Sequence, residues 1–197
     1  FESRLSELIK VISGEEKLAL LYIDQNKSKA IKYLYGKETA ENLLKLISET
    51  LQEIVFENYG MIAAYGDDIF VIMIRGKNAD VEASNIAEQI IERFKELFYV
   101  DNHAIRVTLN IGISCYPLDT SNVNDLVKNA DIAMMQARTK GFNKIQMYNG
   151  KLGDISNSRH RIELKLKKVD FDKEFQLFYQ PQVNCCDGTL SGFEALL

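Results

Sequence analysis

Hydrophobic residues over the first 150 positions recur at two spacings, which predict helices interleaved with strands. Recurrence at three and four positions predicts four amphipathic helices, at residues 1–12, 40–59, 81–98 and 122–140. Short apolar runs predict strands at residues 18–23, 61–65, 69–75, 105–115 and 144–148. The run at 105–115 alternates with polar residues, which predicts one covered face. This order predicts an α+β fold with helices flanking a sheet that contains an antiparallel hairpin, related to the ferredoxin-like arrangement.

A change in composition near residue 150 predicts a second domain. Residues 150–173 are charged, and apolar residues at helical spacing between 159 and 169 predict a linker helix. Two apolar runs, 175–183 and 189–196, predict two strands joined by a Cys-Cys-Asp-Gly turn. We therefore expect domains at residues 1–149 and 174–197, with the linker between them.

The composition narrows the classes of partner. The 197 residues carry a formal net charge of -4 and a pI near 5.3, which disfavours binding to a nucleic-acid backbone. The apolar runs are far shorter than the roughly 20 residues that cross a bilayer, so we expect no membrane contact by this part of the protein. The three cysteines are odd in number and lack metal-ligand spacing with the two histidines. These features predict a reducing, cytoplasmic setting, and they leave membrane attachment elsewhere in a longer parent protein open.

Three groups of residues resemble, in their order and spacing, the GGDEF family of bacterial diguanylate cyclases. They are Leu20–Asp24 with Lys29 and Gly36, then Ala64–Phe70 at the hairpin, and finally Asn129–Asp131 with Arg138 and Gly141–Asn143. This resemblance covers residues 1–149 and implies the nucleotidyl-cyclase-like fold of that family. Further along, Phe178–Gln182 and Glu194-Ala195-Leu196 resemble the opening of an EAL domain, the cyclic di-GMP phosphodiesterase barrel.

The resemblance implies a chemistry and candidate residues for it. GGDEF enzymes join two GTP molecules into cyclic di-GMP, with one GTP on each subunit of a transient homodimer. This phosphoryl transfer depends on positioning and on metal ions that neutralise phosphate charge. Asp24 and Asp68 match the family's metal-ligand positions, and carboxylate oxygens are ligands that magnesium prefers. Lys29 and Arg138 match positions that contact phosphate.

The chain also departs from the family pattern. Asp67 replaces a glycine and adds negative charge beside the nucleotide, while Ile69 replaces a carboxylate and can neither bind metal nor assist deprotonation. The guanine-contacting positions carry Lys32 and Glu41, where the family usually has asparagine and aspartate. Phe142 replaces a third basic residue, and we expect it to pack against the sheet. We therefore expect no catalysis from the signature Gly66, Asp67, Asp68, Ile69 and Phe70.

Two further motifs bear on regulation and on the second domain. The family's product-inhibition motif, Arg-x-x-Asp, is replaced by Glu57-Asn58-Tyr59-Gly60, which predicts no feedback binding of cyclic di-GMP there. In a complete EAL domain Glu194 is expected to bind a metal together with residues from later strands. We expect no such function from these 197 residues alone.

The leading hypothesis is a catalytically degenerate GGDEF domain that regulates or dimerises a phosphodiesterase. It would pair with its own EAL domain, form a homodimer in the parent protein, and bind GTP weakly with magnesium. Two alternatives remain open: an active diguanylate cyclase that uses another carboxylate, and a protein-interaction domain that binds no nucleotide. Asp67 and Asp68 would also suit a tight turn without any ligand.

Overall fold

The computed structural model describes residues 2–12, 14–57, 60–66, 68–153, 162, 164–166, 170 and 175–196. These residues fall into two compact units, Phe1–Asp154 and Ile155–Leu197. Most of the predicted linker helix lies outside the described residues, although positions 162 and 164–166 are helical. Among the described residues, no helix is long and apolar enough to span a membrane.

The first unit contains the predicted helices and strands in their predicted order, with further short segments between them. The helices are α1 (Glu2–Val11), α2 (Ser28–Tyr35), α3 (Lys37–Glu57), α4 (Ala79–Arg93) and α5 (Val123–Thr139). The strands are β1 (Lys17–Gln25), β2 (Met61–Ala64), β3 (Ile69–Gly76), β4 (Leu97–Val100), β5 (His103–Arg106), β6 (Leu109–Tyr116) and β7 (Lys144–Met147).

The central sheet has the strand order β2-β3-β1-β6-β7. Strand β1 pairs antiparallel with both β3 and β6, and β7 adds to β6 in parallel. One face of the sheet packs on α2, α3 and α4, and the other packs on α1 and α5. The order β2-β3-β1-β6 is that of a split βαβ, ferredoxin-like unit, so the predicted mixed α+β fold is confirmed.

Strand β1 lies in the middle of the sheet because its sequence is apolar on both faces. Leu18, Leu20 and Tyr22 contribute to the cluster beneath α1 and α5. The residues between them, such as Leu21 and Ile23, contribute to the cluster beneath α3 and α4. Strands covered by helices on both faces read as continuous apolar runs. The run ends at Asp24, where the candidate site begins.

The predicted helix over residues 81–98 is wrong at its end. Helix α4 ends at Arg93, and Phe98 lies in β4, which pairs with β5 in a separate two-stranded sheet. The turn between these strands has positive φ at Asp101 (46°) and Asn102 (66°). Aspartate and asparagine tolerate this backbone conformation, and it suits a two-residue hairpin. Phe94, Leu97 and Phe98 continue the helical spacing past the end of the helix, so periodicity alone extended it.

The predicted strand over 105–115 is also corrected. It divides into β5 and β6, and β6 is buried along both faces rather than half covered. Helix α5 covers the face that the alternation assigned to solvent. The approach is so close that a Cβ at Gly112 would lie 2.0 Å from the carbonyl oxygen of Ala130. The short α2 was not predicted either, because eight residues carry little periodic signal.

The described strands of the second unit form a two-stranded antiparallel sheet, β8 (Phe178–Val183) and β9 (Leu190–Leu196). Both fall within the two runs in which strands were predicted. Gln180 lies opposite Glu194 in the register, which places Glu194-Ala195-Leu196 at the end of β9 away from the turn.

Candidate functional site

The carboxyl end of β1 brings the two predicted metal-binding residues to the same part of the sheet. Asp24 is 6% exposed and lies opposite Ile69 of β3 and Asn110 of β6 in the strand register. The next backbone amide, that of Gln25, donates a hydrogen bond of 3.0 Å to the carbonyl oxygen of Asp68. The hairpin between β2 and β3 is therefore tied to the end of β1.

Three consecutive residues at this point each contain an unsatisfied polar atom. Asp24 Oδ2, Gln25 Oε1 and Asn26 Nδ2 are buried, and none has a hydrogen-bond partner in the described part of the chain. Arg138 Nη1 lies 3.5 Å from Asp24 Oδ2 and supplies a charge without a hydrogen bond. Buried unsatisfied polar atoms cost stability, so a cluster of them calls for a functional explanation.

The charges around Asp24 favour a cation. Burial raises the pKa of the Asp24 carboxyl; Arg138 lowers it, and Asp68 and Asp131 raise it further. Burial, and then the charge of Asp131, raises the pKa of Tyr22 to about 12. A cation placed among these groups would stabilise the ionised Asp24. The orphaned Oδ2 and the electrostatic influence of Asp68 on Asp24 thus fit a site for a hard cation.

A divalent metal at this site would need further ligands. The described residues contain no group of three or more His, Cys, Asp or Glu side chains placed to hold a metal ion. Magnesium commonly takes one or two carboxylates and completes its octahedron with phosphate oxygens and water. Asp24 and Asp68 fit that mode of binding, in which a nucleotide supplies the remaining oxygens.

Asp68 also opens onto a cavity of about 530 Å³. Ser28, at the start of α2, donates a hydrogen bond of 2.6 Å to Asp68 Oδ2. The cavity lies between α2, α3 and this carboxylate, and it collects four predicted site residues in one lining: Lys29, Lys32, Glu41 and Asp68. Asp24 and Arg138 are outside this lining and lie next to each other at the end of β1.

Glu41, a predicted base-contacting residue, has a partner that the sequence analysis did not anticipate. Lys37 Nζ lies 3.5 Å from Glu41 Oε1 in an i,i+4 pair whose side chains are 72% and 61% exposed. Exposed pairs of this kind contribute little to stability. Glu41 therefore remains accessible to a ligand, which would have to compete with Lys37 for its carboxylate.

Ile69 lies where the resemblance expects a carboxylate, and its surroundings are apolar. It is half-buried and packs against the cluster beneath α1 and α5. Asp67 lies outside the described residues, so its effect on a nucleotide stays a prediction. Asn58, Tyr59 and the side chain of Glu57, from the altered inhibition motif, are also outside the described part.

The expectation that Phe142 packs against the sheet is wrong. Its side chain is 52% exposed, and Lys27 Nζ lies 4.8 Å from the centre of its ring. Lys27 has positive φ (62°) at the start of α2, which turns the chain from β1 into that helix. Phe142 thus supports the loop after β1 through a cation–π contact.

Amide side chains beneath this loop form hydrogen bonds that the sequence did not predict. Asn110 Nδ2 donates to Asn26 Oδ1 at 3.1 Å, and Asn110 Oδ1 accepts from the backbone amide of Lys144 at 3.0 Å. Asn143 Oδ1 accepts from the amide of Leu109 at 3.0 Å. The available signal was Asn110 itself, an amide within an apolar strand. A buried amide usually has hydrogen-bond partners, so an asparagine in an apolar strand indicates a polar contact there.

Comparison with known proteins places the first unit in a family. The model of the family described as "Diguanylate cyclase, GGDEF domain" matches residues 1–144. The signaling protein YkoW of Bacillus subtilis is 30% identical over 198 residues, which are 98% of this chain and 25% of that protein. MucR of Pseudomonas aeruginosa, a bifunctional diguanylate cyclase/cyclic di-GMP phosphodiesterase, is 29% identical over 100% of this chain and 28% of its own length.

A solved structure agrees with the fold. The GGDEF domain of TpbB (YfiN) from Pseudomonas aeruginosa superposes with a TM-score of 0.75 and 25% identity, over 80% of this chain and 92% of that one. The chain spans about a quarter of the length of these curated relatives. The predicted resemblance of the first domain is therefore confirmed, and the chain belongs to the GGDEF family.

Proposed function

We propose that this chain carries a catalytically degenerate GGDEF domain that regulates a cyclic di-GMP phosphodiesterase and binds nucleotide weakly with magnesium. The observation that carries the proposal is Ile69. It lies opposite Asp24 in the register and packs among apolar side chains, at the position where a cyclase of this family would have a carboxylate. The aliphatic side chain of isoleucine has no lone pair with which to hold a metal or to accept a proton from the attacking hydroxyl.

Nucleotide binding is supported by the groups that remain. Lys29 lines the cavity next to Asp68, and a lysine can hold phosphate as a point charge. Arg138 already lies against Asp24, so a metal between Asp24 and Asp68 would free its guanidinium for a phosphate oxygen. Magnesium, when bound, would neutralise phosphate charge. The altered Lys32 and Glu41, the latter paired with Lys37, favour poor discrimination between bases.

A following EAL domain is supported by two features of the second unit. β8 and β9 form a hairpin that ends in Glu194-Ala195-Leu196, as the opening of that barrel would. The match to MucR extends over the whole chain, although the family model matches only residues 1–144. We further propose that the parent protein is a cytoplasmic-facing homodimer in which the degenerate domain influences phosphodiesterase activity.

A product assay tests the catalytic part of the proposal. The purified chain with GTP and magnesium or manganese should form no detectable cyclic di-GMP, because the carboxylate at position 69 is absent. Turnover that Asp24→Ala abolishes would establish the active cyclase instead. The paired substitution Asp67→Gly with Ile69→Glu should strengthen metal binding without giving full activity, because Lys32 and Phe142 are unchanged.

Calorimetric titration tests the binding part. We expect magnesium-dependent binding of GTP with a Kd on the order of 0.1 mM or weaker, and nearly equal binding of ATP. Asp68→Ala should abolish it, whereas Asp125→Ala, an exposed acidic residue of α5 outside the cavity, should leave it unchanged. No binding by the unmodified chain would favour the pure interaction domain. Micromolar binding selective for GTP would indicate a dedicated GTP sensor.

A further inference from the structure

The turn between β8 and β9 presents two neighbouring thiols on the surface. Cys185 and Cys186 are free and exposed, whereas the third cysteine, Cys115, is buried in β6. Burial raises the pKa of the Cys115 thiol to about 12, so it holds little of the reactive thiolate at neutral pH. The chain therefore has one accessible pair of thiols and one internal, protected thiol.

The turn is held by bonds that do not use the cysteine side chains. The amide of Asn184 donates to the carbonyl oxygen of Thr189, and the amide of Gly188 donates to that of Asn184, both at 2.8 Å. Asn184 Oδ1 accepts from the amide of Cys186 at 2.9 Å. Asp187 Oδ1 accepts from both the amide and the hydroxyl of Thr189. Both thiols can therefore react while the turn keeps its backbone bonds.

Two thiols on consecutive residues can form a disulfide or chelate a soft ion. The Cα atoms of adjacent residues are about 3.8 Å apart, which is shorter than the roughly 4.4–6.8 Å of ordinary disulfides. A disulfide here would be strained and easily reduced. An ion that bridges the sulfurs adds one atom to the ring and relieves that constraint. No third His, Cys, Asp or Glu side chain is grouped with the pair in the described part of the chain. The bound centre would therefore have two protein ligands, the two thiolates.

We propose that Cys185 and Cys186 form a dithiol site that chelates trivalent arsenic, either as arsenite or as an organoarsenical. With an arsine oxide, two arsenic–oxygen bonds are replaced by two arsenic–sulfur bonds. The two thiol protons leave with the oxygen as one molecule of water, and arsenic stays trivalent, so no oxidant or reductant is needed. The site is independent of the nucleotide cavity and of the function proposed above.

Phenylarsine oxide provides a direct test on the whole chain. Added in one equivalent with excess glutathione, it should give a single adduct in native mass spectrometry and remove both exposed thiols from reaction with a thiol reagent. A small dithiol should release it. Cys185→Ser and Cys186→Ser should each weaken binding at least about a hundredfold, because the second bond gains from a high effective concentration.

Cys115→Ala is the matched control, since it removes a thiol without touching the pair, and its adduct should be unchanged. An adduct that survives either serine substitution at equal strength would overturn the proposal, as would an adduct that depends on Cys115. Absence of an adduct in glutathione buffer, or loss of two hydrogens without arsenic, would also overturn it. The second result would show that the pair forms a disulfide instead.

Discussion

The sheet is built differently beneath α5 and at the carboxyl end of β1. Beneath α5, Gly112 lets β6 approach the helix so closely that a Cβ would lie 2.0 Å from Ala130 O and 2.2 Å from the Met134 amide nitrogen. At the end of β1, three buried polar atoms on residues 24–26 lack hydrogen-bond partners within the described residues. The first region is closely packed. The second region contains buried polar atoms that close packing does not explain. Packing therefore accounts for the middle of the sheet, while the buried polar atoms at the end of β1 fit the nucleotide site proposed above.

The largest expected effect comes from filling the space beneath α5. Gly112→Ala forces a methyl group into backbone atoms of α5, which cannot yield as a flexible side chain would. We expect a loss of about 3 kcal/mol or more in the free energy of unfolding, the upper range for overpacking. Urea denaturation followed by circular dichroism measures it. Gly150→Ala is the control, because a Cβ at Gly150 would meet no atom within 4 Å. Equal stability of the two variants would show that β6 and α5 are not closely packed.

A smaller effect, of opposite sign, is expected at the end of β1. The pKa of Asp24 is raised in the folded state, chiefly by burial, so the folded protein binds this proton more tightly than the unfolded chain does. Stability then falls as pH rises through the unfolded pKa and towards the folded pKa, and the penalty is complete only above the folded pKa. Asp24→Asn should therefore stabilise the protein at pH 7 by roughly 1 kcal/mol, while it abolishes magnesium-dependent nucleotide binding. The stabilisation should disappear at acid pH.

Asp80 provides the contrasting carboxylate. Its pKa is lowered, chiefly by the hydrogen bond from Lys17 at 2.9 Å, so its contribution is present above the unfolded pKa and is lost as pH falls. Asp80→Asn should destabilise the protein at pH 7 by about 0.2–1 kcal/mol. Thermal unfolding of both variants at pH 7 and pH 3 checks the signs. If Asp24→Asn destabilises at pH 7, then Asp24 serves the fold rather than a ligand.

The smallest effect concerns the electrostatic influence of Arg138 on Asp24. Because Arg138 lowers the pKa of that carboxyl, Arg138→Gln should raise it, and carbon-detected NMR titration of the side chain should show the shift. The change in stability should be at most a few tenths of a kcal/mol, since Arg138 is 62% exposed. Lys140→Gln, an exposed change nearby at the end of α5, should leave the titration of Asp24 unchanged. An unchanged pKa of Asp24 in the Arg138→Gln variant would show that Arg138 does not influence that carboxyl.

Much of the fold could be predicted because long amphipathic segments keep one period. Helices α3 and α5 have many apolar positions at consistent spacing, and β1 is a continuous apolar run, so chance has little influence on these predictions. The end of α4 could not be located, because Phe94, Leu97 and Phe98 keep the helical period although the last two lie in a strand. Both faces of β6 are buried because α5 lies close to it, which is a tertiary contact that strand periodicity does not predict. In the sequence, only Gly112 indicates this close approach.

Those residues of the candidate site that belong to a sequence motif could be predicted. The side chains that contact them could not, because these contacts depend on the fold. Asp24 and Asp68 could be named from the sequence, and their backbones are indeed tied together through Gln25. Their metal-binding role stays a prediction. The pairing of Glu41 with Lys37 and that of Asp24 with Arg138 depend on side-chain geometry, which spacing does not determine. The amide pair Asn26 and Asn110 joins residues 84 positions apart, and neither alone predicts the other.

The side chain of Asn110 has a mechanical consequence. Through one amide group it joins the start of β7, at the amide of Lys144, to the loop that follows Asp24, at Asn26. The amide therefore couples β7 to the loop after β1. A shift of β7 along its axis would lengthen the 3.0 Å hydrogen bond between the Lys144 amide and Asn110, and would so disturb the contact of Asn110 with Asn26.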